Sequence, residues 1–173
     1  MDKTAIEHWS PVIGGQFWWT GLIFVLIFVP LMIFFGNKIS SKQRDMVLYG
    51  MGIYQLGNKA LTQIGYIFSD NYIMASNLPL HLCGLSGILA GIVVFYRKQI
   101  LFEFLYFFGL VGFIHSVLTP EFTGGVSSWK IFDYYVGHSM LIIIPVWLMK
   151  YYELRLRHNA WWTSFIYLQL IVV

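Results

Sequence analysis

The stretch from Phe17 to Phe35, FWWTGLIFVLIFVPLMIFF, holds no charged side chain. At about 1.5 Å of rise per residue, a helix of this length nearly spans the roughly 30 Å hydrocarbon core of a bilayer. It reads as a membrane-crossing helix. Working outward, further apolar segments run over 46–68, 79–96, 100–118, 132–149 and 160–173. Five of the six approach the roughly 20 residues that a crossing needs. The sixth would rise only about 20 Å, and the chain ends on Leu170-Ile171-Val172-Val173 with no polar flank. This pattern predicts an all-α, polytopic transmembrane bundle of about six helices with a truncated C-terminus. No basic, short apolar and small-residue succession marks a cleavable leader, so the first helix is expected to stay as an anchor.

Composition agrees. Hydrophobic residues make up 58% of the chain and charged residues 11%, with a mean hydropathy of +0.67, which excludes a soluble globular or disordered chain. No internal repeat, low-complexity tract or long linker divides the sequence, and residues 1–173 read as one helical domain.

Orientation follows from the basic residues, because cytoplasmic loops retain them. Lys38, Lys42, Arg44, Arg97, Lys98, Lys150, Arg155 and Arg157 fall in alternate loops. The intervening loops and the N-terminus carry Lys3 and Lys130 among Asp2, Glu7, Asp70, Glu121 and Asp133. The N-terminus and the 69–78 and 119–131 loops are therefore expected outside the cell. The net charge of +3 reflects this topology and not a nucleic-acid footprint.

Polar side chains are costly inside a bilayer and tend to face a bundle interior or a wet cavity. Gln55, Asn58, Lys59, Thr62 and Gln63 recur at i, i+3, i+4, i+7 and i+8, on one face of the second segment. That face serves either interhelical hydrogen bonding or a substrate-lined cavity. Gly84, Gly87 and Gly91 form a small-residue stripe that lets a neighbouring helix approach closely.

The only cysteine, Cys83, lies in Leu78-Pro79-Leu80-His81-Leu82-Cys83. With a helix entering at Pro79, Cys83 sits about 6 Å below that entry; His115 lies about 8 Å from Pro120, and His138 about 10 Å from an entry near Ile131. His81, Cys83, His115 and His138 thus share a narrow slab near the outer interface. His81 and Cys83 are two residues apart and point in nearly opposite directions on a helix, so a base for the thiol must come from another helix. His138 and His115 are the choices by depth. Tyr134, one turn before His138, can hold the imidazole through its hydroxyl, and Asp133 reads as the helix cap. The same four residues also offer zinc ligands, although the i, i+2 spacing is awkward for a common ion.

The segment Asn77-Leu78-Pro79-Leu80-His81-Leu82-Cys83-Gly84-Leu85-Ser86 resembles the signature of the bacterial YwaF-type integral membrane proteins, whose animal relative is transmembrane protein 164. Phe102-Glu103-Phe104-Leu105-Tyr106-Phe107-Phe108-Gly109-Leu110, Leu118-Thr119-Pro120 and Gly137-His138-Ser139 follow in the family's order. The resemblance covers roughly residues 45–150 and implies a bacterial plasma membrane and a further C-terminal portion. The animal member is described as an acyltransferase that passes a fatty acyl chain from a phospholipid, through a cysteine, to a lysophospholipid. What the resemblance implies here is Cys83 as acyl acceptor, His138 as base and then acid, and His81 in support, with no cofactor. Lys59, Gln63, His115 and Gln55 are then expected toward the lipid substrate. A non-enzymatic lipid-binding or transport protein is the alternative, and it makes better use of the polar face on the second helix.

Overall fold

A computed structural model describes residues 8–68, 82–123 and 126–172. Six helices lie among the described residues: α1 (Gln16–Phe35), α2 (Ser41–Ile67), α3 (Leu82–Tyr96), α4 (Gln99–Leu118), α5 (Ser128–Tyr151) and α6 (Ala160–Val172). A two-residue antiparallel pairing joins His8–Trp9 to Phe122–Thr123 and ties the chain ahead of α1 to the loop after α4. The molecule is an all-α helical membrane bundle. α1, α4 and α5 are long and apolar enough to cross a bilayer, and α3 is a shorter apolar helix in its described part.

The helix bodies fall where hydropathy puts them, and two starts differ. α2 begins at Ser41, ahead of the apolar run, because Ser40 and Gln43 form a reciprocal capping box: the Ser40 N–H donates to Gln43 Oε1 at 2.9 Å and the Gln43 N–H to Ser40 Oγ at 3.4 Å. α5 begins at Ser128, with Ser127 Oγ accepting from the Lys130 N–H. Asp133 is therefore not the cap; it lies in the second turn, where its carboxylate is available to other helices.

α5 is the central element and packs against α1, α2, α3 and α4. Its Leu141, Ile143, Ile144, Trp147 and Leu148 are buried with Leu48 of α2, Val93 and Val94 of α3, and Phe102 and Leu105 of α4. The expected glycine stripe on α3 does bring α2 close. A Cβ on Gly91 would stand 2.4 Å from Leu56 Cγ and 3.1 Å from the Gly52 carbonyl oxygen, and contact this close in a membrane bundle rests on residues without side chains.

α4 is not uniform. Leu105–Gly109 forms a π-helical turn, an inserted residue that changes the register of the helix beyond it. At this turn a Cβ on Gly109 would lie 2.9 Å from the Leu141 carbonyl oxygen of α5.

The basic loops gather at one end of the bundle. Arg97 contacts Asp45 at 3.6 Å and lies over the Tyr152 ring, while Arg44 lies over Tyr151 and Lys150 over Phe34. Tyr152 donates to Asp45 Oδ1 at 2.6 Å; burial and the neighbouring carboxylate push its phenol up to about 12, so it remains a donor at neutral pH. Glu103, fully buried at the start of α4, receives Arg157 in a bidentate pair, with Nη2 2.6 Å from Oε2 and Nε 2.9 Å from Oε1. Gln99 Nε2 donates to the same carboxylate at 2.6 Å. This cluster fastens the segment before α6 to α4.

Candidate functional site

The opposite end of the bundle holds the polar residues of α2. Asp133 accepts the Tyr54 hydroxyl and, through both oxygens at 2.8 Å, the Asn58 amide. Gln55, 2% exposed, donates from Nε2 to the Gly137 carbonyl at 2.8 Å. Gln55 and Asn58 therefore bind α2 to α5, which is the packing role weighed for this face. A cavity is present as well: a groove of about 510 Å³, lined by Tyr54, Asn58, Leu61, Thr62, Trp129 and Asp133, opens beside the network.

Lys59 turns the other way, toward α3. A Cβ on Gly87 would stand 2.7 Å from Lys59 Cε and 3.6 Å from Nζ, so the missing side chain is what gives the lysine stem its course. Its ammonium is near enough to Asp133 and Cys83 for their charges to act on it. Gln63 is half-buried near the end of α2 and is engaged with neighbours.

Cys83 is half-buried in the first described turn of α3, with Sγ 3.9 Å from the Gly112 carbonyl oxygen of α4. Glycine makes this approach possible, since a Cβ at 112 would lie 3.3 Å from the sulfur. On α5, His138 Nδ1 is 2.7 Å from the Tyr134 carbonyl oxygen. A carbonyl only accepts, so Nδ1 carries the proton and Nε2 is the basic nitrogen of the neutral ring. The Tyr134 and His138 rings lie 4.2 Å apart between centroids, and Tyr134 is also within electrostatic range of Cys83.

The Tyr134 hydroxyl does not hold the imidazole, contrary to expectation. It donates to the Ser116 carbonyl at 3.1 Å and accepts from the Glu121 N–H at 3.4 Å, because an i, i+4 pair on one helix brings the backbone carbonyl to the ring first. His115 is exposed on the last turn of α4, so similar depth does not by itself bring it to the sulfur. His81 and the Pro79 helix entry lie outside the described residues. Among those described, no group of three His, Cys, Asp or Glu residues is placed to hold a metal ion.

Tyr54, Gly112 and Glu103 were not singled out in the sequence. Tyr54 had a signal, one turn before Asn58 on the polar face. Gly112 had none, because its role depends on the register set by the π turn. Glu103 was visible as an acid within an apolar span, a position that demands a partner.

A bundle of apolar helices with a polar cluster enclosed near one end defines a polytopic integral membrane protein. The chain belongs to the TMEM164 family, whose model matches residues 7–173. Neither the curated proteins nor the solved structures contain a match to it.

Proposed function

We propose that this chain is a membrane-embedded acyltransferase that moves a fatty acyl chain from a phospholipid to a lysophospholipid through a thioester on Cys83. The observation that supports the reading is Tyr134, whose ring lies 4.2 Å from that of His138 and on which the charge of Cys83 bears, with the His138 tautomer set by the Tyr134 carbonyl. His138 Nε2 takes the thiol proton and the thiolate attacks the ester carbonyl. The lysophospholipid leaves as its alkoxide and takes that proton from His138. The acceptor hydroxyl then gives its proton to Nε2 and attacks the thioester, and the thiolate departs. Lys59 and Gln63 of α2 are the polar groups offered to the substrate, and His81 of the same motif has a supporting part. This chemistry requires no cofactor.

In this reading the basic end faces the cytoplasm of a bacterial plasma membrane, following the positive-inside rule, and the Cys83 end faces outward. Ester carbonyls lie at the boundary of headgroup and hydrocarbon, which matches a site one or two turns inside a helix end. The test is intact-protein mass spectrometry of the purified chain and its Cys83→Ala variant after incubation with phospholipid, before and after hydroxylamine. A fatty-acyl mass increase that needs Cys83 and is removed by hydroxylamine is expected; no adduct on folded wild-type protein overturns the reading.

The groove beside Asp133 favours a second reading, a lipid-binding or transport protein whose polar α2 face lines a pathway. In that case lipid binding survives alkylation of Cys83 and is lost in Lys59→Ala.

A further inference from the structure

We propose that Lys59 is the charge partner of Cys83: its ammonium, reaching across α3 over Gly87, stabilises the thiolate. The inference rests on the acyl-transfer reading for its purpose. Its geometry stands independently.

Gly87 is four residues after Cys83, so the two share one face of α3. The Lys59 stem passes directly over Gly87, where any side chain would collide with Cε. The stem thus lies on the face that carries the sulfur one turn away, and the charge of each group bears on the other. Among the described residues the ammonium makes no hydrogen bond or ion pair. Among the described residues Asp133 is the carboxylate acting on it, and both its oxygens are already taken by Asn58, one of them also by Tyr54. Asp133 thus does not capture the ammonium, and the lysine stem lies against α3.

A thiolate on a membrane helix is poorly solvated and needs a nearby positive charge to form. Gly112, the α4 residue against Cys83, offers only a carbonyl oxygen, which is a poor neighbour for an anion. Among the described residues, Tyr134 of α5 is within electrostatic range of the sulfur and His138 lies beside Tyr134, with Asp133 and Tyr54 behind Lys59 and His115 exposed on α4. Of these, the imidazoles of His138 and His115 can also become cations, and His115 turns outward. With Lys59 supplying the charge, the imidazole of His138 is left to accept the thiol proton.

The experiment is the pH dependence of Cys83 alkylation by iodoacetamide, followed by intact mass on the full chain in lipid nanodiscs. Wild type is compared with Lys59→Met, Lys59→Arg and Gly87→Ala. Removing the positive charge disfavours the thiolate. The alkylation midpoint in Lys59→Met is therefore expected to rise by one pH unit or more, with about tenfold slower reaction at fixed pH below it. Lys59→Arg retains most of the wild-type rate. Gly87→Ala keeps the lysine but displaces its end, and shifts the profile in the direction of Lys59→Met; it also serves as the test if Lys59→Met does not fold. Superimposable profiles in wild type and the folded variants overturn the inference. If the profiles separate while no acyl thioester ever forms, the charge pairing stands and acyl transfer falls. If thioester forms but the profiles coincide, only the pairing falls.

Discussion

His138 Nδ1 lies 2.7 Å from the carbonyl oxygen of Tyr134, one turn back on the same helix. The imidazole is thereby held by backbone, and its other nitrogen is given its character as a base by an atom that no substitution of Tyr134 can remove. His138→Gln, which can keep an amide donor toward that carbonyl, is expected to retain the fold. It should lower acyl transfer about 10²- to 10⁴-fold, the ordinary range for loss of a general base. Tyr134→Phe loses the hydroxyl contacts to Ser116 and Glu121 and should cost far less. Rates of labelled acyl release from a phospholipid donor distinguish the two; equal losses would show that the imidazole is not the base.

Close approach of α2 and α3 depends on Gly91. Gly91→Ala places a methyl 2.4 Å from Leu56 Cγ and should destabilise the bundle by about 1–3 kcal/mol through overpacking. Leu56→Ala makes the room back, so the double variant should melt above Gly91→Ala. A thermal-shift comparison in one detergent checks this, and additive losses would contradict the close packing.

Asp133 is the acceptor for two side chains of α2. Asp133→Ala leaves the Tyr54 hydroxyl and the Asn58 amide without it and is expected to cost about 1–3 kcal/mol. Asp133→Asn retains an acceptor for one of them and should lie between. Denaturant titration of the three proteins orders them; an Asp133→Ala variant as stable as wild type would mean that water in the groove replaces the carboxylate without loss.

Glu103 and Arg157 fix the approach to α6. In Glu103→Gln the carboxylate that accepts from Arg157 and Gln99 is gone. Amide hydrogen exchange across residues 153–170 should quicken about tenfold or more, while α5 keeps its protection. Unchanged exchange would show that the apolar contacts of α6 hold it unaided.

Most of the architecture was legible in hydropathy, since an apolar run of membrane length has few other folds available. The capped starts were less so, because Ser40, Gln43 and Ser127 act through local backbone geometry that an average over apolar residues conceals. The polar face from Gln55 to Gln63 was legible as a face but not in its division. Gln55 and Asn58 turn to α5 and Lys59 to α3, and the difference is set by Gly87 on another helix. For the site, depth along a helix placed Cys83 and His138 at one end and gave His115 equal standing. Depth has no azimuth, and His115 turns outward.

The π turn at Leu105–Gly109 has a consequence for how tolerant α4 is to change. Its two halves answer to different neighbours, Glu103 to Arg157 at one end and Gly112 to Cys83 at the other, and one surplus residue reconciles them. Excising a single residue there would leave every named side chain in the chain and an unbroken helix. It would also swing one half past the other by about 100°. Length, and not only composition, is therefore a coded property of this span: a one-codon deletion in a stretch of apolar residues would separate the anchor of α6 from the wall of the thiol.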